Sequence, residues 1–285
     1  MYMKKWIVTL SALFCSLSLL AQGTVTTKKY LLSDFTDKVT QVVMSGNEIF
    51  CSALRQEVVA NWTASPFEFC TLEQFEARKT SDRYYFLIAA ESQFKGEEVP
   101  GVTFLTLVKG GPEAQDGIGA MQEIVSLPLQ AALGGNGREL IYLPSLLRTI
   151  QAYTLAAMDS EKTAYNMENW VNRQYARNGR TMQICIARED LSETLTEKEL
   201  GRYLDADFHI VESTEEADKR FLDRAYNTLV GYTVEPAFPD KNAYCYALLF
   251  EAYTGTLYYI GRHKYSEKKG CGFTVYDMKY LSSKR

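Results

Sequence analysis

Between residues 182 and 264 the hydrophobic period switches back and forth between strand and helix. Met182, Ile184 and Ile186 alternate with Gln183, Cys185 and Ala187, the pattern of a half-buried strand. Thr196 with Glu199, and Ser213 with Glu216, set a hydroxyl three residues ahead of a carboxylate. That is the capping-box spacing, so each pair opens a helix. Phe208–Val211 reads as a strand between them, and Ala217, Phe221, Ala225, Leu229 and Tyr232 form a helical stripe after the second. Ala243–Ala252 and Leu257–Lys264 flank Thr254-Gly255 as a hairpin. Helices and strands that alternate in runs this short can bury their apolar sides only in mixed α/β layers.

The first half repeats this alternation. Phe50, Leu54, Val58 and Trp62 keep a four-residue spacing, predicting a helix over 47–62 that Pro66 cannot continue. A strand at Phe67–Cys70, a helix at Leu72–Lys79 and strands at Arg83–Ala90, Val102–Lys109 and Met121–Leu127 follow. Lys95, Glu97, Glu98 and Pro100 mark a solvated loop. Residues 22–45 are polar, with a short strand around Lys29–Leu32. Ala132–Arg138 is a glycine-rich break, after which Pro144 opens a helix bearing Leu146, Ile150, Tyr153 and Ala157. Residues 160–180 read as a continuing helix or an inter-lobe segment.

The chain opens MYMKKWIVTLSALFCSLSLLAQG: two lysines, then sixteen uncharged residues ending in Ala21, after which the cut is expected. This is a secretory leader, too short and too rich in hydroxyls for a membrane anchor. Phe14 before Cys15 suits no lipid attachment site, so a free periplasmic or secreted protein is expected. Loss of Lys4 and Lys5 takes the net charge from −4 to −6, a balance that disfavours nucleic acid. Five cysteines remain beyond the leader: Cys51, Cys70, Cys185, Cys245 and Cys271. An odd number cannot pair completely, and most sit in apolar segments as small core residues.

The two halves share an element order, and Asn61-Trp-Thr-Ala-Ser-Pro66 can be laid on Gly231-Tyr-Thr-Val-Glu-Pro236, pairing Trp62 with Tyr232 and Pro66 with Pro236. Duplication of one unit accounts for this. The segment Asn61-Trp62 to Pro66-Phe-Glu-Phe-Cys70-Thr, followed by Tyr84-Tyr-Phe-Leu-Ile88, resembles a group of secreted proteins of unknown role from gut-type Gram-negative bacteria. The element order is also similar to the small α/β lobes of curli-secretion-type and amino-terminal TolB-like envelope proteins. The resemblance implies an envelope setting and a mixed fold, and carries over no catalytic residue.

Chemistry is sparse. The two histidines, His209 and His263, lie outside any zinc-hydrolase spacing, so no metal site and no cofactor are expected. His209 reads as an ordinary strand residue. Cys271, in Lys268-Lys-Gly-Cys-Gly-Phe273, is the best nucleophile candidate: lysines beside it would favour a thiolate, and His263 lies eight residues upstream. A Gly-Cys-Gly turn explains it equally well. No nucleophile elbow or phosphate loop occurs. Tyr244 and Tyr246 share a sheet face with Leu248 and Phe250, and Tyr259 can lie opposite them. They are either cross-strand pairs or an exposed aromatic platform for a glycan or partner.

The expectation is therefore an α+β (mixed α/β) fold with two lobes, each of helix packed on a small, mostly antiparallel sheet, arising from a duplicated unit. Residues 1–21 form the leader, 22–137 the first lobe, 138–180 a connecting helical segment and 181–285 the second lobe. The function read from this is an exported, non-enzymatic, envelope-associated binding or assembly module whose partner is an envelope protein or a glycan. The alternative is a cysteine-dependent hydrolase or transferase using Cys271 and His263. A homodimer through an edge strand is the third reading.

Overall fold

In the computed structural model, residues 32–204 and 207–282 are described. The leader over 1–21 lies outside them, as do residues 29–31 of the strand expected there. Strand β1 (Val39–Val43) is the organising strand of the first sheet, although the sequence around it reads as polar. Its interior explains why. Thr40 and Gln41 are fully buried, yet each is satisfied: Thr40 Oγ1 lies 2.7 Å from Ser65 Oγ, and Gln41 donates to Glu68 at 2.9 Å while accepting from Arg78 at 3.0 Å. Hydrogen-bonded polar groups can replace apolar ones in a core strand, and the alternation signal vanishes with the apolar groups.

Helix α1 (Glu48–Asn61) starts at Asn47, whose side chain accepts from Phe50 N at 2.8 Å, and buries Phe50, Leu54 and Val58. β2 (Phe67–Cys70) follows, then α2 (Leu72–Arg78) behind a Thr71/Gln74 capping box. β3 (Tyr84–Ser92), β4 (Val102–Lys109) and β5 (Gln122–Ala131) complete the sheet in the order β2-β1-β3-β4-β5. Helix α3 (Arg138–Asp159) begins a turn and a half before Pro144, so the proline lies inside it and not in its first turn. Residues 160–180 resolve into α4 (Glu161–Ala164) and α5 (Met167–Asn178), with α5 lying along the last strand of the second sheet.

The second unit is β6 (Gln183–Ala187), α6 (Glu197–Tyr203), β7 (Phe208–Val211), α7 (Thr214–Leu222), β8 (Thr228–Val234), β9 (Tyr244–Glu251), β10 (Leu257–Lys264) and α8 (Val275–Leu281). Both capping hydroxyls sit where the spacing predicts them. The stripe beyond Phe221 does not continue as helix. Arg224 and Asn227 both adopt φ 53°, in the left-handed region, and the chain turns into β8. Leu229 and Tyr232 then point to opposite faces of a strand, one into the outer core and one into the central core.

The second sheet runs β10-β9-β8-β6-β7. In each sheet the first strand of the unit has two parallel neighbours, and the last three strands pair antiparallel. The sheets are therefore evenly mixed, and the two lobes repeat one β-α-β-α-β-β-β-α order, as a duplicated unit does. The pairing sets the true equivalences. Val39 faces Tyr84 as Gln183 faces Thr228. Asn61–Pro66 leads from α1 into β2, whereas Gly231–Val234 belongs to β8, so the match of Trp62 with Tyr232 is coincidental.

One central core joins the lobes. It combines Leu54 and Val58 of α1, Leu143, Leu146 and Ile150 of α3 and Phe221 of α7 with the inner faces of both sheets. The outer face of the first sheet packs Phe75 of α2, and that of the second packs Leu200 of α6 and Met278 of α8. The two copies thus stack in the same sense: the first turns its α1 side inward, the second its α7 side, the counterpart of α2.

Candidate functional site

Cys271 carries no thiol. It forms a disulfide with Cys245 of β9, with Cα atoms 5.3 Å apart. The flanking glycines serve this turn, with φ 63° at Gly270 and 78° at Gly272, and a Cβ on Gly272 would lie 2.5 Å from the Asp190 carbonyl oxygen. Phe273 N donates to that same oxygen at 2.8 Å. The segment is a staple holding the chain after β10 against the end of β6. His263 faces Cys245 across the strand pair, and its Nε2 lies 3.0 Å from Gly270 O. The thiolate expected at Cys271 is therefore corrected to a bridged sulfur, since a disulfide cannot be deprotonated. Cys70 and Cys185 are buried thiols that desolvation pushes up to about 11, and neither supplies an alternative nucleophile. His209 is a partly exposed residue of the edge strand β7.

The three tyrosines do not form an exposed platform. Tyr246 and Tyr259 are 3% and 6% exposed. A register shift between Leu257 and Tyr259 puts Tyr259 on the outer face, where its hydroxyl donates to Asp277 at 2.6 Å and its ring stacks on Tyr280. Tyr244 and Tyr246 stay on the central face as the alternation predicts, and there they meet the first lobe. Tyr244 packs on Phe94 at 4.7 Å between ring centroids and carries the Arg262 and Lys264 cations at 5.3 and 5.5 Å. Tyr246 meets Phe104 edge-on at 5.6 Å, and Phe104 meets Phe94 at 6.2 Å. A continuous aromatic row thus runs Tyr244, Phe94, Phe104, Tyr246, with its two ends on β9 and two rings of the first lobe between them.

Three rings of this row, Phe94, Phe104 and Tyr246, border a cleft of about 360 Å³. Its floor is the part of the first sheet beyond α2, with Ala90 of β3, Phe104 and Thr106 of β4, and Ser126 of β5. Tyr246, Ile260 and Arg262 of the second sheet form one wall, and Tyr165–Glu168, from the end of α4 into the first turn of α5, line another. The loop after β3 is held in place from both sides. Glu97, read from the sequence as solvated, is buried and accepts from Phe94 N at 2.6 Å, while Asn242 donates to Gly96 O at 2.7 Å. Glu97 therefore positions the Phe94 backbone. Sequence alternation flagged Tyr244 and Tyr246. It missed Phe94, Phe104 and Tyr165 because the cleft is built by distant segments with no shared local pattern.

A second depression of about 350 Å³ lies where β6, β7 and β8 end, the switch point of the parallel strands. It is filled with its own interactions. Arg138, at the start of α3, gives paired hydrogen bonds to Asp190 at 2.8 and 3.0 Å and to Asp218 at 2.8 and 3.0 Å. Thr233 and Tyr142 donate to the same carboxylates. Glu189 accepts from Thr214 N and Oγ1, both at 2.9 Å, at the start of α7. The arrangement clamps the connecting helix to the second lobe and leaves Arg138 committed. Among the described residues no cluster of histidine, cysteine and carboxylate can hold a metal ion, and no helix is long and apolar enough to cross a membrane. Compared with family models, curated proteins and solved structures, the chain finds no match.

Proposed function

We propose that this chain is an exported, non-catalytic binding protein of the cell envelope whose ligand enters the cleft between the two sheets. The observation that carries this reading is the cleft itself: a cavity of about 360 Å³ bordered by Phe94 and Phe104 of the first lobe and Tyr246 of the second, whose rings are in contact. Ligand pockets commonly measure about 300–1,000 Å³, join apolar walls to a few convergent polar groups, and favour junctions between packed units. The hydroxyls of Thr106 and Ser126, 2.9 Å apart, supply such polar groups here. The secretory leader read from the sequence at residues 1–21 supports export, and the Cys245–Cys271 disulfide suits an oxidising compartment. The bridged Cys271 lends no support to a cysteine-dependent hydrolase.

The test is calorimetric titration of the disulfide-intact protein with small amines, carboxylates and saccharides, repeated on Tyr246→Ala and Phe104→Ala. Binding by the wild type that weakens at least tenfold in either variant is expected, since an aromatic wall contributes on the order of 1–2 kcal/mol. Identical binding by all three proteins would remove the cleft as the site.

A further inference from the structure

Strand pairing sets the equivalent positions of the two units. Ala90 faces Phe104 and Ile88 faces Thr106 in the first sheet, as Val234 faces Tyr246 and Tyr232 faces Leu248 in the second. Thr106 in turn faces Ser126 of β5, as Leu248 faces Ile260 of β10. Phe104 therefore corresponds to Tyr246, Thr106 to Leu248 and Ser126 to Ile260.

In the second unit this face is closed. Tyr142 of α3 stacks on Tyr232 and Phe250 at 4.5 and 5.2 Å between ring centroids, and Leu248 and Ile260 lie in the central core. In the first unit α2 covers one part of the same face, with Phe75 on Phe86 at 5.0 Å, while Phe104, Thr106 and Ser126 line the cleft. The two positions that hold Leu and Ile under a helix thus hold Thr and Ser in the recess. Their hydroxyl oxygens lie 2.9 Å apart. A hydroxyl has one proton and two lone pairs, so a pair that shares one hydrogen bond keeps lone pairs to accept from a ligand. Phe104 is two residues from Thr106 and so on the same side of β4, and its ring meets that of Tyr246 at 5.6 Å. Acceptor oxygens and an apolar wall stand side by side.

None of the floor residues Ala90, Phe104, Thr106 and Ser126 is charged. Arg262, on the wall, has its Nε 3.3 Å from the Glu168 carboxylate. An ion on this floor gives up far more hydration than an uncharged group does, and neutral hydroxyls do not restore it. A neutral donor, by contrast, exchanges one hydrogen bond to water for one to the pair.

Given the binding reading above, on which this rests, we infer that Thr106 and Ser126 select the ligand of the cleft: a small uncharged molecule with an apolar or aromatic body and a hydroxyl or amide N–H, the donor at the two oxygens and the body against Phe104 and Tyr246.

Four probes with one naphthalene body test this: naphthylethanol as the uncharged donor, its methyl ether as the uncharged form without a donor, naphthylethylamine as the cation and naphthylacetate as the anion. Each is titrated into the disulfide-intact protein by calorimetry. The alcohol is expected to bind about fivefold tighter than the ether, the worth of one hydrogen bond, and tighter than either ion. Thr106→Val combined with Ser126→Ala removes both hydroxyls together. It is expected to bring the alcohol to the level of the ether while the ether is unchanged. Thr106→Ser keeps the hydroxyl and is expected to keep the preference. Unchanged thermal midpoints show that the variants fold; should the double variant unfold, Thr106→Val alone carries the comparison. An ether that binds as well as the alcohol, a preference that survives without the hydroxyls, or an ion that binds tightest overturns the ligand class. If the binding then seen still falls in Tyr246→Ala, the cleft remains the site and only the class is wrong. If none of the four probes binds, the class is wrong; if the amines, carboxylates and saccharides of the first titration also fail, the binding reading falls with it.

Discussion

Among single residues, Asp34 has the most directly measurable role. Its carboxylate accepts from the Tyr85 hydroxyl at 2.6 Å and from Lys109 at 2.9 Å, and pairs with Lys38 at 2.7 Å. Partial burial alone would raise its pKa, but these three donors bring it down from 3.8 to about 2. A carboxyl depressed in the folded state contributes stability that is fully present above its unfolded pKa and lost as the pH falls through the folded value. The window is therefore about pH 4 to 2. The side chain is about a third exposed, so screening reduces the full linkage value, and a contribution of about 1–2 kcal/mol is expected. Asp34→Asn should be less stable than the wild type by that amount at pH 7 in urea denaturation. The difference should shrink to a small remnant by pH 2 and vanish below it. A difference constant across that range would show that the loss comes from shape and not from charge. Gln41, Glu97 and Arg138 teach a related lesson. All three are buried polar side chains held by hydrogen bonds, and their hydrophilic identity concealed their place in the interior.

At the scale of elements, helices were legible where side chains within one segment carry the information. The stripe of α1, the capping box of α6, the Ser213 cap of α7 and the termination of α1 before Pro66 are local facts. The misreadings concern strands. β1 escaped notice because its buried positions include Thr40 and Gln41, and β8 was absorbed into a helical stripe because spacing cannot register a backbone reversal at Arg224 and Asn227. The hairpin of β9 and β10 was legible, but its register shift was not, and that shift sends Tyr259 to the outer face. The disulfide acts on the same elements. It closes a loop with a sequence separation of 26 residues, which by chain entropy stabilises the fold by about 3 kcal/mol. Replacing both cysteines, as Cys245→Ala with Cys271→Ala, should lower the unfolding free energy by about that much. It should also raise amide exchange in residues 265–273 and at the Asp190 turn they cover. Exchange unchanged at these two segments would show that the turn is held without the bridge.

At the scale of the molecule, the two units form one structure. Tyr232 of β8 donates to Leu129 O of β5, Arg138 and Tyr142 of α3 donate to Asp218 of α7, and the central core draws on both sheets. Neither sheet retains a complete inner face without the other. Urea unfolding followed by tyrosine fluorescence and by far-ultraviolet circular dichroism should therefore give one coincident transition; two separated transitions would show that each unit is stable alone. The same stacking explains the ends of the molecule. The outward side of α2 carries Glu73, Gln74 and Glu76, all exposed, where its counterpart α7 buries Ala217 and Phe221 against the first lobe. A polar outer surface of this kind ends a stack of repeats, so the inter-lobe contact is not offered again on that side.

By itself, the sequence determined the alternation of helix and strand, the mixed layered class, the doubled element order and the shared central face of Tyr244 and Tyr246, because side-chain period and capping chemistry act over a few residues. Only the tertiary structure decided which strands are neighbours, that Cys271 is bridged to Cys245, and that Phe94, Phe104 and Tyr246 border one cleft. Those outcomes depend on pairing register and on contacts between segments distant along the chain, which no local pattern encodes.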